Sequence, residues 1–510
     1  MRVLLVSTYD LGRQPFGLAS PAAWLRRAGA EVVCVDTSRE PLEDHHVRGA
    51  SIVAVYLPMH TATRLAGPLI DRVRAANPDA AVAAYGLYAP LNEAWLRHRG
   101  VTHVFGPEAE ADLVALASTG SVRAPVPASA SGATPAPGPR IARLAFIQPD
   151  RTTLPDLRRY AALQMPDGSR RIAGSTEATR GCKHLCRHCP IVPVYRGAFR
   201  AIPIDVVMAD IAAQAAAGAQ HISFGDPDFF NGPTHARRLV ARLAREWPGL
   251  TYDVTIKIEH LLQHQELLPL LRDTGCLFVT SAVESFDDAI LARLRKGHTR
   301  ADVARAVAAC RAAGVTLSPT FVPFTPWTTA AGFGDLLDQI EALALVEAVA
   351  PIQLAIRLLV TAESALLELP DLHPRLEPFD AASLTWPWRH EDARVDVLQR
   401  DVMALVASMR DAPRRTVFDA IASLARQRVG DGRTPVALPR SAAPASVPAA
   451  ADVPPDPAPA SCSPACCTPS PAVPHLTEAW YCCAEPGEYE AAQEAPGSER
   501  RGPVPCPPAS

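Results

Sequence analysis

The sequence predicts an α/β protein built from a doubly wound domain, a second α/β unit and a tail that cannot fold by itself. Three observations carry this reading. Strand and helix signals alternate from residue 1 to about 120, a Pro/Ala/Ser stretch interrupts them, and the alternation returns from about 141 to about 360. After about residue 435 the composition collapses into Pro, Ala and Ser, as in Ser441-Ala442-Ala443-Pro444-Ala445-Ser446-Val447-Pro448, which cannot bury enough surface to fold.

In the first part, Val3-Leu4-Leu5-Val6, Glu31 to Val35, Ser51 to Tyr56, Ala81 to Tyr85 and Thr102 to Phe105 read as strands, with helical patterns between them such as the stretch from Pro21 to Arg27. Such alternation means a parallel sheet covered on both faces. A ligand would lie at the carboxyl ends of these strands, which carry Ser7 to Gly12, Leu57 to Thr63 and Tyr85 to Tyr88. No Gly-x-Gly-x-x-Gly follows the first strand, so a dinucleotide site is not expected. Pro125 to Pro139 has no apolar periodicity and reads as a flexible to semi-extended linker, which implies two domains that move against each other.

At 510 residues the chain has room for roughly two to four domains. Lysine plus arginine (50) nearly balance aspartate plus glutamate (53), so no basic signature points to nucleic acid. Met1-Arg2 runs directly into a strand pattern without the order of a signal peptide, and no run of about 18 apolar residues suggests a membrane span. A cytoplasmic location follows as the expectation, where thiols stay reduced. The twelve cysteines then read as metal or redox groups plus a few buried apolar ones, Cys276 and Cys310 among the latter.

In the second part Gly174 to Thr179 reads as a strand, and Thr179-Arg180-Gly181-Cys182-Lys183-His184-Leu185-Cys186-Arg187-His188-Cys189-Pro190 follows it. Three cysteines at Cys-x3-Cys-x2-Cys can place three thiolates around one cube of iron and sulfide. An electron-transfer cluster carries a protein ligand on every iron, whereas a site one ligand short is open to another molecule. The rival reading is a zinc site completed by His184 or His188.

This stretch resembles the radical S-adenosylmethionine (SAM) superfamily. The resemblance implies a [4Fe-4S] cluster held by Cys182, Cys186 and Cys189, whose open iron is chelated by the amino and carboxylate groups of SAM. It further implies that one electron from the cluster splits SAM into methionine and a 5′-deoxyadenosyl radical, which takes a hydrogen atom from a substrate. A reductase with flavodoxin, or a ferredoxin, would supply the electron; the substrate would be a small molecule or a peptide. The implied fold is a partial (β/α)6 barrel of the TIM type over 141–395, with C-terminal helices over 396–434 and a disordered tail over 435–510. Residues 1–123 look like the Rossmann-like, cobalamin-binding domain that precedes many such barrels, joined by a linker over 124–140, and cobalamin is a further candidate cofactor. The Asp-x-His-x-x-Gly motif, whose histidine ligates cobalt in some cobalamin proteins, is missing.

Along the barrel, His221 to Phe224 ends in Gly225-Asp226-Pro227-Asp228-Phe229, where the resemblance places contacts to the SAM amino group; Gly225, Asp226 and Asp228 are the candidates, against an ordinary Gly-Asp-Pro turn. Thr251 to Lys257 reads as the third strand and Leu261 to Arg272 as its return helix. The fourth, Leu277 to Val283, ends at Glu284-Ser285, where a carboxylate suits the paired hydroxyls of a ribose. Lys296 reads as a structural or helix-end charge. Thr316 to Trp327 and Pro351 to Leu358 read as the fifth and sixth strands, with Trp327 and Arg357 facing the barrel mouth, and 397–428 as helices.

The tail holds Cys462, Cys466, Cys467, Cys482, Cys483 and Cys506. Trp480-Tyr481-Cys482-Cys483-Ala484-Glu485-Pro486 resembles the tail of the CUAEP/CCAEP-tail radical SAM proteins. Neighbouring cysteines form a strained, easily reduced disulfide or grip a soft element together. Cys482 and Cys483 are therefore the candidate catalytic thiols, a redox or carrier arm. The alternatives are cobalamin-dependent methyl or group transfer, chemistry on a thiophilic element such as arsenic or selenium, and a non-catalytic iron-sulfur redox or metal-binding protein.

Overall fold

The computed structural model describes residues 1–119, 144–430, 472–478 and 484–485. In the N-terminal half, β1 (Arg2–Ser7), β2 (Glu31–Asp36), β3 (Ile52–Tyr56), β4 (Ala81–Tyr85) and β5 (His103–Val104) form one parallel sheet in the order β2-β1-β3-β4-β5. β1 is apolar on both faces because helices cover both, and Val3 to Val6 are all buried. The order reverses between β1 and β3, so the loops after those two strands flank the crevice where doubly wound domains take ligands. Gly86 sits at φ +111 there, and a Cβ at that position would come within 2.7 Å of the Leu57 carbonyl oxygen, so only glycine lets the two loops meet.

The second half is a curled sheet. β6 (Ala162–Gln164) runs antiparallel to β7 (Arg170–Thr176), the cysteine stretch lies between β8 (Thr179–Gly181) and β9 (Phe199–Ala201), and β10 (His221–Phe224), β11 (Thr251–Thr255), β12 (Cys276–Glu284) and β13 (Thr316–Phe321) follow. β7, β10, β11, β12 and β13 are parallel and adjacent in chain order, as in an open barrel, and one large core lies between them and the outer helices. Those helices carry local start and stop signals. Pro233–Glu246 starts on proline and buries Ala236, Leu239, Val240 and Leu243, one stripe. Arg300–Ala313 opens on a capping box of Thr299 and Asp302 and closes on Gly314 in the left-handed region.

The sixth strand differs from expectation. Pro351–Leu354 is a 3-10 turn, and only Arg357–Leu358 (β14) is extended, meeting the sheet through a single parallel bridge to Phe324. The Gln353 side chain takes the place of a neighbouring strand by accepting the Phe321 N–H at 3.2 Å. The return helix after β11 is likewise broken, into Ile258–Gln263 and Leu268–Asp273 around a turn at Gln265–Leu267. The C-terminal helices are Ala393–Ser408 and Arg414–Gly430.

Two further expectations change. The tail is not structureless throughout: His475–Leu476 (β15) pairs antiparallel with β6, and Ala484–Glu485 (β16) pairs antiparallel with β14. The halves do not meet as loosely joined domains either. Arg180 reaches Glu110 at 2.8 Å with both side chains buried, Arg200 reaches Glu108 at 3.1 Å, and Arg151 binds Gln14 at 2.8 Å as well as Asp210. The predicted linker lies outside the described residues.

Candidate active site

Thr179 pairs with Ala201 and Gly181 with Phe199, so β8 and β9 form the neck of a loop that carries all three clustered cysteines. Gly181, at φ +78, turns the chain into that loop against the Tyr195 ring and the Ala198 carbonyl, where a Cβ would overlap both. Asn231 secures the loop from outside: its Oδ1 accepts the Lys183 N–H at 3.1 Å and its Nδ2 donates to the Gly181 carbonyl at 3.4 Å. Nothing in the sequence singled out Asn231; its role depends on the short helical turn after β10 reaching back across the barrel mouth.

The loop turns Cys182, Cys186 and Cys189 into one cavity between the two halves. Burial pushes the Cys182 thiol up to about 12, more than the nearby His184 N–H brings it down, so an electron-withdrawing metal is needed to hold this sulfur as a thiolate. Among the described residues, the His, Cys, Asp or Glu donor atoms that converge as ligands of a single ion are those of His184, Asp228 and His260; the three sulfurs are not such a set. A mononuclear zinc site would gather its sulfurs closely, because each Zn–S bond is only about 2.3 Å. Three sulfurs from one loop turned into a common space suit a cluster with iron atoms of its own.

The histidines of the loop are engaged elsewhere. His188 Nε2 lies 3.1 Å from Glu284 Oε1, and His184 Nε2 lies 3.0 Å from Asp228 Oδ2, which also meets His260 Nδ1 at 2.7 Å. Lys257 Nζ faces His184 Nδ1 at 3.1 Å, so that nitrogen accepts and Nε2 carries the proton given to Asp228, as assigned from the network. That protonation pattern describes a hydrogen-bonded chain through His184, Asp228 and His260, since a metal-bound histidine would turn its remaining N–H to an acceptor.

Each predicted site residue has a definite position. Gly225, Asp226, Asp228 and Glu284 line the same cavity as the cysteines. Both carboxylates after β10 are already used: Asp226 accepts from the Ala178 N–H at 2.9 Å and the Thr179 hydroxyl at 2.5 Å, and Asp228 accepts from the Phe230 N–H and the two histidines. Burial raises the Asp226 carboxyl to about 7 despite those donors. Glu284 sits at φ +70, a strained position for a glutamate that aims it inward. Burial alone would raise its pKa, but Lys296 at 3.2 Å and His188 outweigh burial and bring it to about 2.

Lys296, expected as an end-of-helix charge, is buried and lines the cavity. Ser285 does not line it; its hydroxyl accepts the Asp287 N–H in the turn that follows. Arg357 points away, paired with Asp396 at 3.0 Å and stacked on Trp388, and Trp327 packs beside Arg293 in a side cluster. Cys276 and Cys310 are plain buried thiols. Cys482 and Cys483 lie outside the described residues, as do Cys462, Cys466, Cys467 and Cys506.

Residues 176–338 match the profile of the Radical SAM superfamily. The chain carries a radical SAM enzyme domain. Domains of this superfamily work with a [4Fe-4S] cluster and SAM, and use an electron donor and a substrate. The chain is 26% identical over 198 residues to the ribosomal protein uS12 methylthiotransferase RimO of Desulforudis audaxviator, covering 36% of this chain and 42% of that protein. It is 26% identical over 209 residues to the tRNA-2-methylthio-N(6)-dimethylallyladenosine synthase of Bordetella petrii, covering 37% and 42%. The match thus spans less than half the length of these curated relatives. Among solved structures, the radical SAM methyltransferase TsrM of Kitasatospora setae, with tryptophan substrate and a SAM analogue bound, aligns at TM-score 0.53 and 20% identity over 67% of this chain and 71% of that one. The cobalamin-dependent radical SAM enzyme OxsB with aqua-cobalamin bound aligns at TM-score 0.63 and 13% identity over 84% and 71%. Those identities speak for a shared fold. Among the described residues no helix is long and apolar enough to cross a membrane.

Proposed function

We propose that this chain cleaves SAM reductively at a [4Fe-4S] cluster held by Cys182, Cys186 and Cys189 and directs the resulting radical at a substrate bound between its two halves. The observation that carries this is the single cavity at the carboxyl ends of the parallel strands, walled by three cysteines from one loop and by Asp226, Glu284 and Lys296. When bound, the cluster and SAM supply a 5′-deoxyadenosyl radical. The chain's own residues position: Asn231 and Gly181 hold the cysteine loop, buried Glu284 keeps a negative charge for hydroxyl donors, and the packed N-terminal half walls one side of the cavity. Anaerobic reconstitution tests this. The expected outcome is four irons per cluster and 5′-deoxyadenosine from SAM and dithionite, both lost in C182A; bound zinc with no 5′-deoxyadenosine would overturn it.

A second reading adds cobalamin for methyl or group transfer. It is favoured by the carboxyl edge of the N-terminal sheet opening onto the cavity through Tyr56, Pro58, Tyr85 and Leu87, in the fold of OxsB. Among the described residues of that half no histidine, cysteine or methionine lines the cavity, so cobalt would find no nitrogen or sulfur ligand there. Cobalt analysis of protein expressed with cobalamin separates the two readings.

The tail thiols Cys482 and Cys483 complete the proposal as a redox or carrier arm. Support comes from their neighbours: Glu478 sits on the loops after β1 and β2, and Ala484 pairs with Leu358, two residues past the cavity-lining Ile356. C482S should still cleave SAM yet fail to complete turnover. Full turnover in C482S would remove the arm from the mechanism.

A further inference from the structure

The loop after β1 is strained and charged. Leu11 at φ +50 and Gly12 at φ +66 are consecutive left-handed residues, closed by the Arg13 N–H donating to the Asp10 carbonyl at 2.9 Å. A leucine in that region is strained by its Cβ, and the fold must offset that elsewhere. Glu478 helps to hold the turn by packing over Gly12 while accepting from the Tyr9 hydroxyl at 2.6 Å. The result is that Arg13, from the N-terminal half, enters the cavity at the point where the strand order reverses. Its Nη1 lies 3.6 Å from where a Cβ on Gly225 would stand, at the mouth of the opposite half.

Arg13 has no ion pair or side-chain hydrogen bond among the described residues, and its Nε is buried without a partner. Two other arginines near the interface are matched: Arg180 by Glu110 and Glu177, Arg151 by Asp210 and Gln14. A guanidinium left open in a cavity wall is suited to a planar anion, with two parallel N–H donors for one carboxylate. Two carboxyl groups stand beside it. Asp10 and Glu177 both line the cavity; Glu177 accepts from Arg180 Nε at 2.9 Å through one oxygen, and burial raises the Asp10 carboxyl to about 7 against the pull of Arg13. Such neighbours would repel a phosphate dianion but suit a ligand bearing an ammonium next to its carboxylate.

We propose that Arg13, with Asp10 and Glu177, binds the carboxylate and ammonium of a free α-amino acid, which is the substrate class of this cavity. The proposal rests on the cavity being the site of radical chemistry and adds what it acts on. It sets the chain apart from an enzyme whose target is an internal residue of a folded macromolecule, because such a residue offers no free carboxylate beside an amine. SAM itself ends in the same zwitterion, so the test must separate the two sources.

The full chain, reconstituted anaerobically and saturated with SAM, is presented with the proteinogenic amino acids at millimolar concentration in ligand-observed NMR, and hits are titrated calorimetrically. At least one amino acid is expected to bind, its carboxamide to fail, R13Q to weaken it about tenfold or more, and R13K to weaken it less, since lysine keeps the charge but not the fork. R13K also covers the case in which R13Q does not fold. Binding of no amino acid, binding that survives both variants, or loss of SAM affinity in R13Q in place of amino-acid affinity would each overturn the proposal. Release of 5′-deoxyadenosine by the same wild-type preparation reports separately on the radical reading. If SAM is cleaved and no amino acid binds, the substrate class falls alone; if SAM is not cleaved, the parent reading falls as well.

Discussion

At the scale of single residues, Asp226 and Glu284 show how one cavity tunes two carboxyls in opposite directions. Asp226 is raised from 3.8 to about 7, so its contribution to stability is complete below 3.8 and is lost as pH rises to about 7. D226N should remove that slope and keep the fold and the cluster, while D226A strands the Ala178 N–H and the Thr179 hydroxyl and should cost about 1–3 kcal/mol; urea melts from pH 4 to 8 measure both. Glu284 is lowered from 4.5 to about 2, so its contribution is present above 4.5 and fades as pH falls toward 2. E284Q should flatten the acid limb of the stability curve, cost about 2 kcal/mol or more at neutral pH, and raise the SAM dissociation constant. An unchanged dissociation constant in E284Q would place the ribose elsewhere. The positions of these residues after β10 and β12 were legible in the sequence, because strand ends are where such barrels put their chemistry. The partners of Glu284 were not: His188 and Lys296 reach it across the barrel mouth, a distance that no local pattern encodes.

At the scale of elements, the cysteine loop behaves as a hairpin whose neck is fixed at Gly181. G181A adds a Cβ where φ is +78 and where the Tyr195 ring and the Ala198 carbonyl leave no room. It should destabilise by at least about 2 kcal/mol and lower the iron bound after reconstitution, read by denaturant unfolding and metal analysis. Iron content equal to wild type would show that the neck does not set the geometry of the loop. Apolar period made most of the strands readable, whereas the Thr299 box and the Pro233 start were signals present in the sequence that went unread. The sixth strand misled because Pro351-Ile352-Gln353-Leu354 has an apolar rhythm, yet its proline favours a tight turn and its glutamine closes the sheet edge by side chain alone.

At the scale of the whole molecule, the two halves are joined by buried ion pairs that composition cannot reveal. Arg180 stands in β8, within the neck of the cysteine loop, and reaches both Glu110 of the N-terminal half and Glu177. R180A leaves buried Glu110 and half-buried Glu177 without their cation, and should cost about 3–5 kcal/mol and open the interface to protease before global unfolding. Equal protease resistance in R180A and wild type would argue that the pair is dispensable. A proline-rich joint suggested hinged domains because a linker reports only on its own stiffness, whereas the surfaces it joins decide whether they part.

The two short ladders of the tail bear on how such a molecule could ever admit anything. Glu478 is fastened beside Tyr9 and Arg39, and Ala484 to Leu358, six residues further along the chain. A fully extended backbone advances at most about 3.6 Å per residue, so roughly 20 Å of tether separates the two moorings. The rims they hold cannot be drawn further apart unless one mooring slips.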